Sequence, residues 1–398
     1  MLPVMMHTEV VVAGAVRTPI GKFGGSFVPL KASDLGVAAA VEAMRRAGVE
    51  PDSIDECLFG HGRQAGGGTN TARQVMVRAG VPVSVAAMTV NKACASSMKA
   101  IALAYDSIQL GRNESVLVGG TESMSNTPYY LLDARFGYRL GHSEVIDGMY
   151  KDGFQCPIAD QLMGRTAETL AETYGISRRE QDEFAVRSQQ RCAAAAARGV
   201  WTEESFAVDV PGRKGVTKIT LDEHPRADAT VESMGKLPAV FKEGGTVHAG
   251  NSSGITDGAS AMVVMSAQRA AQLGASPMAR VVDWATAGVD PKVMGIGPVP
   301  AVRKLLERTK LTLADIDLIE LNEAFAAQVI ACDRDLKIDP DKLNVNGGAI
   351  ALGHPIGATG ARICVTLVHE MRRRGARRGI ATLCVSGGMG MAVLFERV

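Results

Sequence analysis

Four short stretches of this sequence set reactive side chains among small residues at turns. In Val90-Asn91-Lys92-Ala93-Cys94-Ala95-Ser96-Ser97-Met98 a strand gives way to a helix, with Cys94 at the junction. A thiol there meets the positive end of the helix dipole and unpaired N–H groups, which favours the thiolate and makes a nucleophile. Its small neighbours leave room for a ligand against the sulfur. In Asn344-Val345-Asn346-Gly347-Gly348-Ala349-Ile350-Ala351-Leu352-Gly353-His354-Pro355-Ile356-Gly357-Ala358-Thr359-Gly360 a histidine sits between glycines in a turn that leads into a helix, a place suited to a base near neutral pH. Cys384 closes the last core strand ahead of Ser386-Gly387-Gly388-Met389-Gly390, and the carboxyl ends of parallel strands are where α/β proteins gather catalytic groups. In Asn322-Glu323-Ala324-Phe325-Ala326 a polar pair follows an apolar strand. Taken singly, each stretch has a plainer reading. Either cysteine can be a small buried hydrophobe, His354 a turn histidine satisfied by backbone, and the Asn-Glu pair a cap on the next helix.

The elements that must position these groups alternate short apolar runs with helical stretches, the pattern of α/β layering with buried strands. Strands are expected at Val10 to Val16, Glu56 to Gly60, Ser115 to Gly119, Ala261 to Met265, Leu318 to Leu321 and Ile380 to Val385. Helices are expected at Asp34 to Ala47, Ser96 to Leu110 and Ala361 to Arg374; in the second, Met98, Ile101, Tyr105 and Ile108 mark one buried stripe.

The two ends of the chain echo each other in the same order. Asp52-Ser53-Ile54-Asp55-Glu56 returns as Ala314-Asp315-Ile316-Asp317-Leu318, Val90-Asn91 as Val345-Asn346, and Val116-Leu117-Val118-Gly119-Gly120 as Leu383-Cys384-Val385-Ser386-Gly387. A duplicated pair of α/β units is the physical reading. Between them, from about Ser125 to Gly254, the texture changes to Tyr129, Tyr130, Phe136 and Tyr138, a charged helix from Thr166 to Arg198, and the basic, Gly-rich Pro211-Gly212-Arg213-Lys214-Gly215. This reads as an inserted loop domain, the kind of insertion that carries binding residues on a rigid scaffold. The expected division is 1–124 with 255–276 as the first half, 125–254 as the loop domain and 277–398 as the second half.

Composition narrows the class. The 398 residues are 46% hydrophobic and 21% charged, and 43 Lys plus Arg against 42 Asp plus Glu leave a formal charge of +1. No global field exists to hold nucleic acid or an anionic membrane, so a polyanionic ligand must be bound locally. Seven scattered cysteines without C-x-x-C pairs make a poor disulfide or zinc framework and point to a reducing compartment, read as the cytoplasm. No secretory leader and no apolar run long enough to span a bilayer are expected. The scattered histidines imply no metal.

Jointly the four stretches, with Val16-Arg17-Thr18-Pro19-Ile20-Gly21 and Asn251-Ser252-Ser253-Gly254, resemble the thiolases over essentially the whole length. The resemblance implies an α/β fold of two duplicated halves, layered α-β-α-β-α, with an inserted loop domain. It implies an acyltransferase moving an acyl group between coenzyme A and acetyl-coenzyme A, so that 3-ketoacyl-coenzyme A is cleaved or formed. Coenzyme A is then a substrate, no cofactor is held permanently, and the assembly is a homodimer or homotetramer. Cys94 takes the acyl group as a thioester, His354 removes its proton, and Cys384 exchanges a proton with the substrate α-carbon or the coenzyme A sulfur. Asn322 holds a water for one oxyanion hole that includes His354; backbone N–H groups at Cys94 and near Ser386 form the other. Arg226 and Ser233 reach adenine and the pantetheine arm, while Leu237, Phe241, Ala249, Ser253 and Phe325 line the pantetheine tunnel.

This chain departs from the family pattern in two places. Leu162-Met163-Gly164 stands where the acetoacetyl-specific biosynthetic type reads His-Met-Gly, so the acyl wall is more apolar and a longer chain is expected. Lys236-Leu237-Pro238-Ala239-Val240-Phe241 also looks like the broad-range degradative type, whereas Met389 stands where that type often has glutamine. Ser386 takes the place of a usual glycine, which puts the second oxyanion hole's backbone geometry in question. An acetoacetyl-specific enzyme is the alternative within the family. A non-catalytic acyl-binding member would lack a cysteine or histidine, and none is missing; a condensing relative acting on carrier-protein thioesters would not carry Cys384.

Overall fold

Valine- and alanine-rich runs become strands here because both of their faces are covered. The computed structural model describes residues 8–398, so the first residues, on which the expected lack of a leader partly rests, lie outside the described residues. Nine main strands are β1 (Val10–Arg17), β2 (Glu56–Gly60), β3 (Ala86–Val90), β4 (Ser115–Ser123), β5 (Thr256–Ser266), β6 (Pro277–Gly288), β7 (Leu318–Leu321), β8 (Arg378–Val385) and β9 (Met389–Glu396). They run β7-β8-β9-β6-β1-β5-β4-β2-β3, and the antiparallel β1–β6 pair joins the two halves edge to edge. Every residue of β1, β4 and β5 is buried.

Parallel pairs require crossover helices. Thr71–Arg78 links β2 to β3 and Ser96–Gln109 links β3 to β4, while Ala326–Leu336 and Ile356–Arg374 lie between the parallel strands β7 and β8. Ser96–Gln109 and Ile356–Arg374 pack together at the centre, where Met98, Ile101 and Tyr105 share one core with Ile363, Leu367 and strands of both halves. A Cβ on Gly360 would come 2.5 Å from the Met98 amide nitrogen, so only glycine lets these helices approach so closely. Ala32–Ala47 and Thr71–Arg78 cover one outer face, and Pro298–Thr309 and Ala326–Leu336 the other, giving α-β-α-β-α layers.

The sequence echo has a counterpart in the hydrogen bonds. The Asp55 amide donates to Ser115 O at 2.8 Å and the Asp317 amide to Arg378 O at 3.0 Å. Asp55 Oδ2 accepts from the amides of Glu114 and Ser115, each at 2.8 Å, and Asp317 Oδ2 from those of Arg377 and Arg378 at 2.7 and 2.9 Å. The second half lacks a full equivalent of β3, which is reduced to a single bridge between Ile319 and Leu343.

Three expectations need correction. The charged stretch from Thr166 to Arg198 is two helices, Met163–Tyr174 and Arg178–Ala197. Gly175 ends the first in a left-handed conformation, and Ser177 with Glu180 caps the second reciprocally. Cys384 does not close the last core strand, because β9 follows it and pairs antiparallel along its length. β6 and β9 were not expected, and β3, expected only as the strand leading to Cys94, has no alternating apolar run; it shows exposed and half-buried residues at the sheet edge, and β6 carries Arg280, Asp283 and Thr286 among its apolar positions.

Candidate active site

Cys94 sits on a strained turn between β3 and the Ser96–Gln109 helix. Ala93 has φ +45°, a left-handed conformation costly for a residue with a Cβ. The Asn91 side chain holds the turn, accepting from the Ala93 amide at 3.0 Å and donating to Gly62 O at 3.2 Å. The Ser96 hydroxyl accepts from the Lys92 amide at 2.9 Å and donates to Ala93 O at 2.6 Å. The turn thereby aims the thiol into a cavity of about 880 Å³ that also receives His354, Cys384 and Ser386.

Position at the helix N-terminus does not set the state of Cys94 alone. Burial pushes the thiol above its ordinary value, and the Ser386 backbone N–H and the Arg63 guanidinium pull it back only in part. Cys384 lies among Met294, Ala324 and Phe325, and burial, with Cys94 nearby, holds it well above the ordinary thiol range. Both sulfurs therefore rest as thiols and need a base.

His354 brings a ring nitrogen free to accept a proton into the same cavity. It precedes the Ile356–Arg374 helix, and its amide donates to Gly254 O at 3.1 Å. Nδ1 lies 2.6 Å from Thr359 Oγ1, whose own proton goes to Pro355 O at 2.9 Å. The hydroxyl lone pair thus accepts Nδ1–H, which leaves the Nε2 lone pair free, and Nε2 is buried with no partner. Burial, helped by Arg362 and Arg63, pushes the imidazole down to about 3, so it is neutral at physiological pH.

Two segments are zipped together behind these groups. The Ser253 amide donates to Ala324 O at 2.9 Å, the Ala326 amide to Asn251 O at 2.9 Å, and Ser252 bridges Phe325. Asn322 is buried, and neither its Oδ1 nor its Nδ2 has a partner among the protein atoms. Its neighbour Glu323 has a structural part: it accepts from Ser188 Oγ at 2.6 Å, Asn344 Nδ2 at 2.9 Å and the Ile350 amide at 3.2 Å.

Ser386 raises no geometric difficulty. The left-handed conformations of its loop fall on Gly387 (φ +86°) and Gly388 (φ +85°), and Ser386 is not among the non-glycine residues with positive φ.

Of the other expected binding residues, Leu162, Met163, Arg226, Phe241, Ala249, Ser253 and Phe325 line the cavity. Phe241 meets Phe325 edge-on with centroids 6.1 Å apart. Ser233 and Leu237 do not line it: the Ser233 hydroxyl donates to Thr230 O at 2.8 Å within a short helix, and Leu237 packs on the outer core of the second half.

Sequence reasoning missed His61, Arg63 and Glu122. Glu122 ends β4 wholly buried and accepts from the Gly62 and Arg63 amides at 3.2 and 3.0 Å, with His61 Nε2 3.3 Å away. Burial pushes this carboxyl up, but His61 and Arg63 outweigh it and hold it below the usual range. A glutamate inside the apolar run Ser115–Ser123 was the available signal, since a fully buried carboxylate must be paired. Among the described residues no cluster of side chains could hold a metal, and no helix is long and apolar enough to cross a membrane.

Comparison with known proteins places this geometry. The family described as thiolase, N-terminal domain matches residues 10–268, and thiolase, C-terminal domain matches residues 275–397. An acetyl-CoA acetyltransferase of Syntrophomonas wolfei is 50% identical over 98% of this chain and 100% of its own. The crystal structure of Bacillus anthracis acetyl-CoA acetyltransferase superposes with a TM-score of 0.96 at 45% identity, covering 98% of this chain and 99% of that one. Human mitochondrial 3-ketoacyl-CoA thiolase in complex with CoA gives 0.95 at 40% identity over 99% of both chains.

Proposed function

The chain belongs to the thiolase family, and from that premise we propose how its own residues carry out acyl transfer between coenzyme A and acetyl-coenzyme A. One observation carries the assignment: a neutral His354 with a free Nε2 shares a cavity with two protonated thiols. His354 takes the Cys94 proton as the sulfur attacks the substrate carbonyl, and acyl-Cys94 forms. Cys384 supplies the proton that the departing acetyl-coenzyme A enolate needs, and in the synthetic direction it removes one from the acetyl methyl group. The Ser386 and Cys94 backbone N–H groups hold the thioester oxygen on Cys94; His354, once protonated, and a water on Asn322 hold the enolate oxygen.

Coenzyme A enters along the wall formed by His224, Arg226, Phe241, Ala249, Ser253 and Phe325, which also line the cavity. His224 is anchored there by Ala351 O at 3.0 Å from its Nδ1. The acyl side ends at Leu162, an apolar wall that supports chains longer than four carbons. The acetoacetyl-specific reading is favoured by the names of relatives such as the Syntrophomonas protein. Thiolysis rates on four-, eight- and twelve-carbon 3-ketoacyl-coenzyme A decide between them.

The protein acts in the cytoplasm as a homodimer or homotetramer. Free cysteines throughout fit the compartment, and the exposed edge of β3 with Leu131, Leu132, Phe136 and Leu140 supplies apolar surface for pairing. A monomer in sedimentation at working concentration would exclude the assembly.

A further inference from the structure

The charge of Arg63 acts on Cys94, His354 and Glu122, but none of them is its ion-pair partner. Arg63 follows β2, is only 9% exposed, and lines the cavity beside Gly62, Ala93 and Cys94. Its Nε is buried with no partner, and the guanidinium takes part in no ion pair among the described residues. Glu122, which feels the Arg63 charge, accepts from the Gly62, Arg63 and Gly357 amides, and Asp152, next to Gly153, accepts the Tyr130 hydroxyl. The guanidinium is nonetheless held in place. A Cβ on Gly153 would lie 2.3 Å from Nη2, so that backbone presses on it, and Cζ lies 6.0 Å from the Phe154 ring centroid. A positioned, nearly buried guanidinium that makes no ion pair of its own and keeps an unpartnered Nε in a substrate cavity can receive an anion from the substrate by charge-assisted hydrogen bonding. Cys94 cannot supply it at rest, being a thiol. The wall carrying Arg63, the end of β2 and the turn Tyr150–Phe154, is distinct in sequence from the 224–253 segments assigned to coenzyme A, which bring their own Arg226.

We propose that Arg63 determines acyl specificity by receiving a carboxylate at the far end of the acyl chain, so that the substrate is a 3-ketoacyl thioester of a dicarboxylic acid. The proposal rests on the thiolase reading of the cavity and names its substrate class. Leu162 then flanks the methylenes and Arg63 the terminus. The chemistry is otherwise unchanged. The Cys94 sulfur bonds to the C3 carbonyl carbon and the C2–C3 bond breaks. The electron pair left on C2 takes the Cys384 proton and acetyl-coenzyme A departs. The coenzyme A thiol then displaces the carboxyacyl group from Cys94 and returns a proton to Cys384, while the terminal carboxylate stays ionised throughout.

The test compares matched pairs, 3-oxoadipyl-coenzyme A with 3-oxohexanoyl-coenzyme A and the corresponding eight-carbon pair, in the full-length enzyme and in Arg63→Leu, Arg63→Gln and Arg63→Lys. In at least one pair kcat/KM should favour the carboxylated member at least tenfold. That ratio should fall at least fiftyfold in Arg63→Leu and Arg63→Gln, and less in Arg63→Lys. Should the leucine variant not fold, the other two carry the same measurement. Equal losses on both members, leaving the ratio intact, would overturn the proposal and leave Arg63 acting on Cys94 or coenzyme A. So would a wild-type preference for the uncharged member of both pairs. If the enzyme cleaves neither these nor acetoacetyl-coenzyme A, the thiolase reading itself fails.

Discussion

Glu122 Oε2 accepts the Gly357 amide at 2.9 Å, so the end of β4 is tied to the first turn of the helix behind His354. The same carboxylate holds the Gly62 and Arg63 amides, which makes it the joint between the His354 turn and the β2 end of the cavity. Glu122→Gln keeps the shape and removes the charge. Weakening buried charge-assisted hydrogen bonds in this way costs about 1 to 3 kcal/mol, to be read by urea unfolding. The folded carboxyl lies below its ordinary 4.5, so its stabilisation is present above that pH and is lost as pH falls through the folded value. The gap between wild type and variant should therefore narrow in acid; a gap constant from pH 7 down to strong acid would contradict this.

Cys94→Ala should abolish covalent labelling by acetyl-coenzyme A and leave the protein folded, since the strained turn is held by Asn91 and Ser96 and not by the sulfur. Peptide mass spectrometry reads the outcome. An acetyl group on Cys384 or Cys57 would overturn the assignment.

Much of this was legible in the sequence because it is local. All six expected strands form, as do the three helices, and Asn322, His354 and Cys384 are each found at a strand end or a turn flanked by small residues. What was not legible depends on convergence. Glu122, His61 and Arg63 meet only because β2 and β4 are parallel neighbours, with Phe59 opposite Gly119 and Gly60 opposite Gly120. The state of Cys94 was legible only in part for a related reason. Helix position is visible in sequence, but the packing that outweighs it is not.

The two proton acceptors should separate by mutation. His354→Ala should slow acylation of Cys94 by about 10²- to 10⁴-fold, the usual weight of a positioned base. Cys384→Ser should still form acyl-enzyme yet block Claisen condensation, and matched losses in both half-reactions in both variants would contradict the division. Since His354 is held at about 3, it stays neutral through the assay range, and the acylation rate should show no acidic limb near 6.5. A limb there that His354→Ala removes would mean the imidazole titrates normally.

Chain length rests on Leu162, half-buried in the cavity wall where the Gln161–Leu162 strand meets Gln155–Cys156 and the Met163–Tyr174 helix begins. An imidazole there would crowd and polarise the acyl site, whereas leucine offers apolar surface. Each methylene buried against it gains up to about 0.8 kcal/mol if the pocket can open. The range should extend beyond four carbons, and Leu162→His should lower activity on an eight-carbon 3-ketoacyl thioester more than on acetoacetyl-coenzyme A. One methylene is discriminated by only about 1 to 3 kcal/mol, so the preference is graded, without a sharp cutoff. Rates of thiolysis on both substrates, with and without the substitution, decide the matter. If the unmodified enzyme cleaves acetoacetyl-coenzyme A at least about a hundredfold better than the eight-carbon substrate, the acetoacetyl-specific reading holds and Leu162 does not set the range.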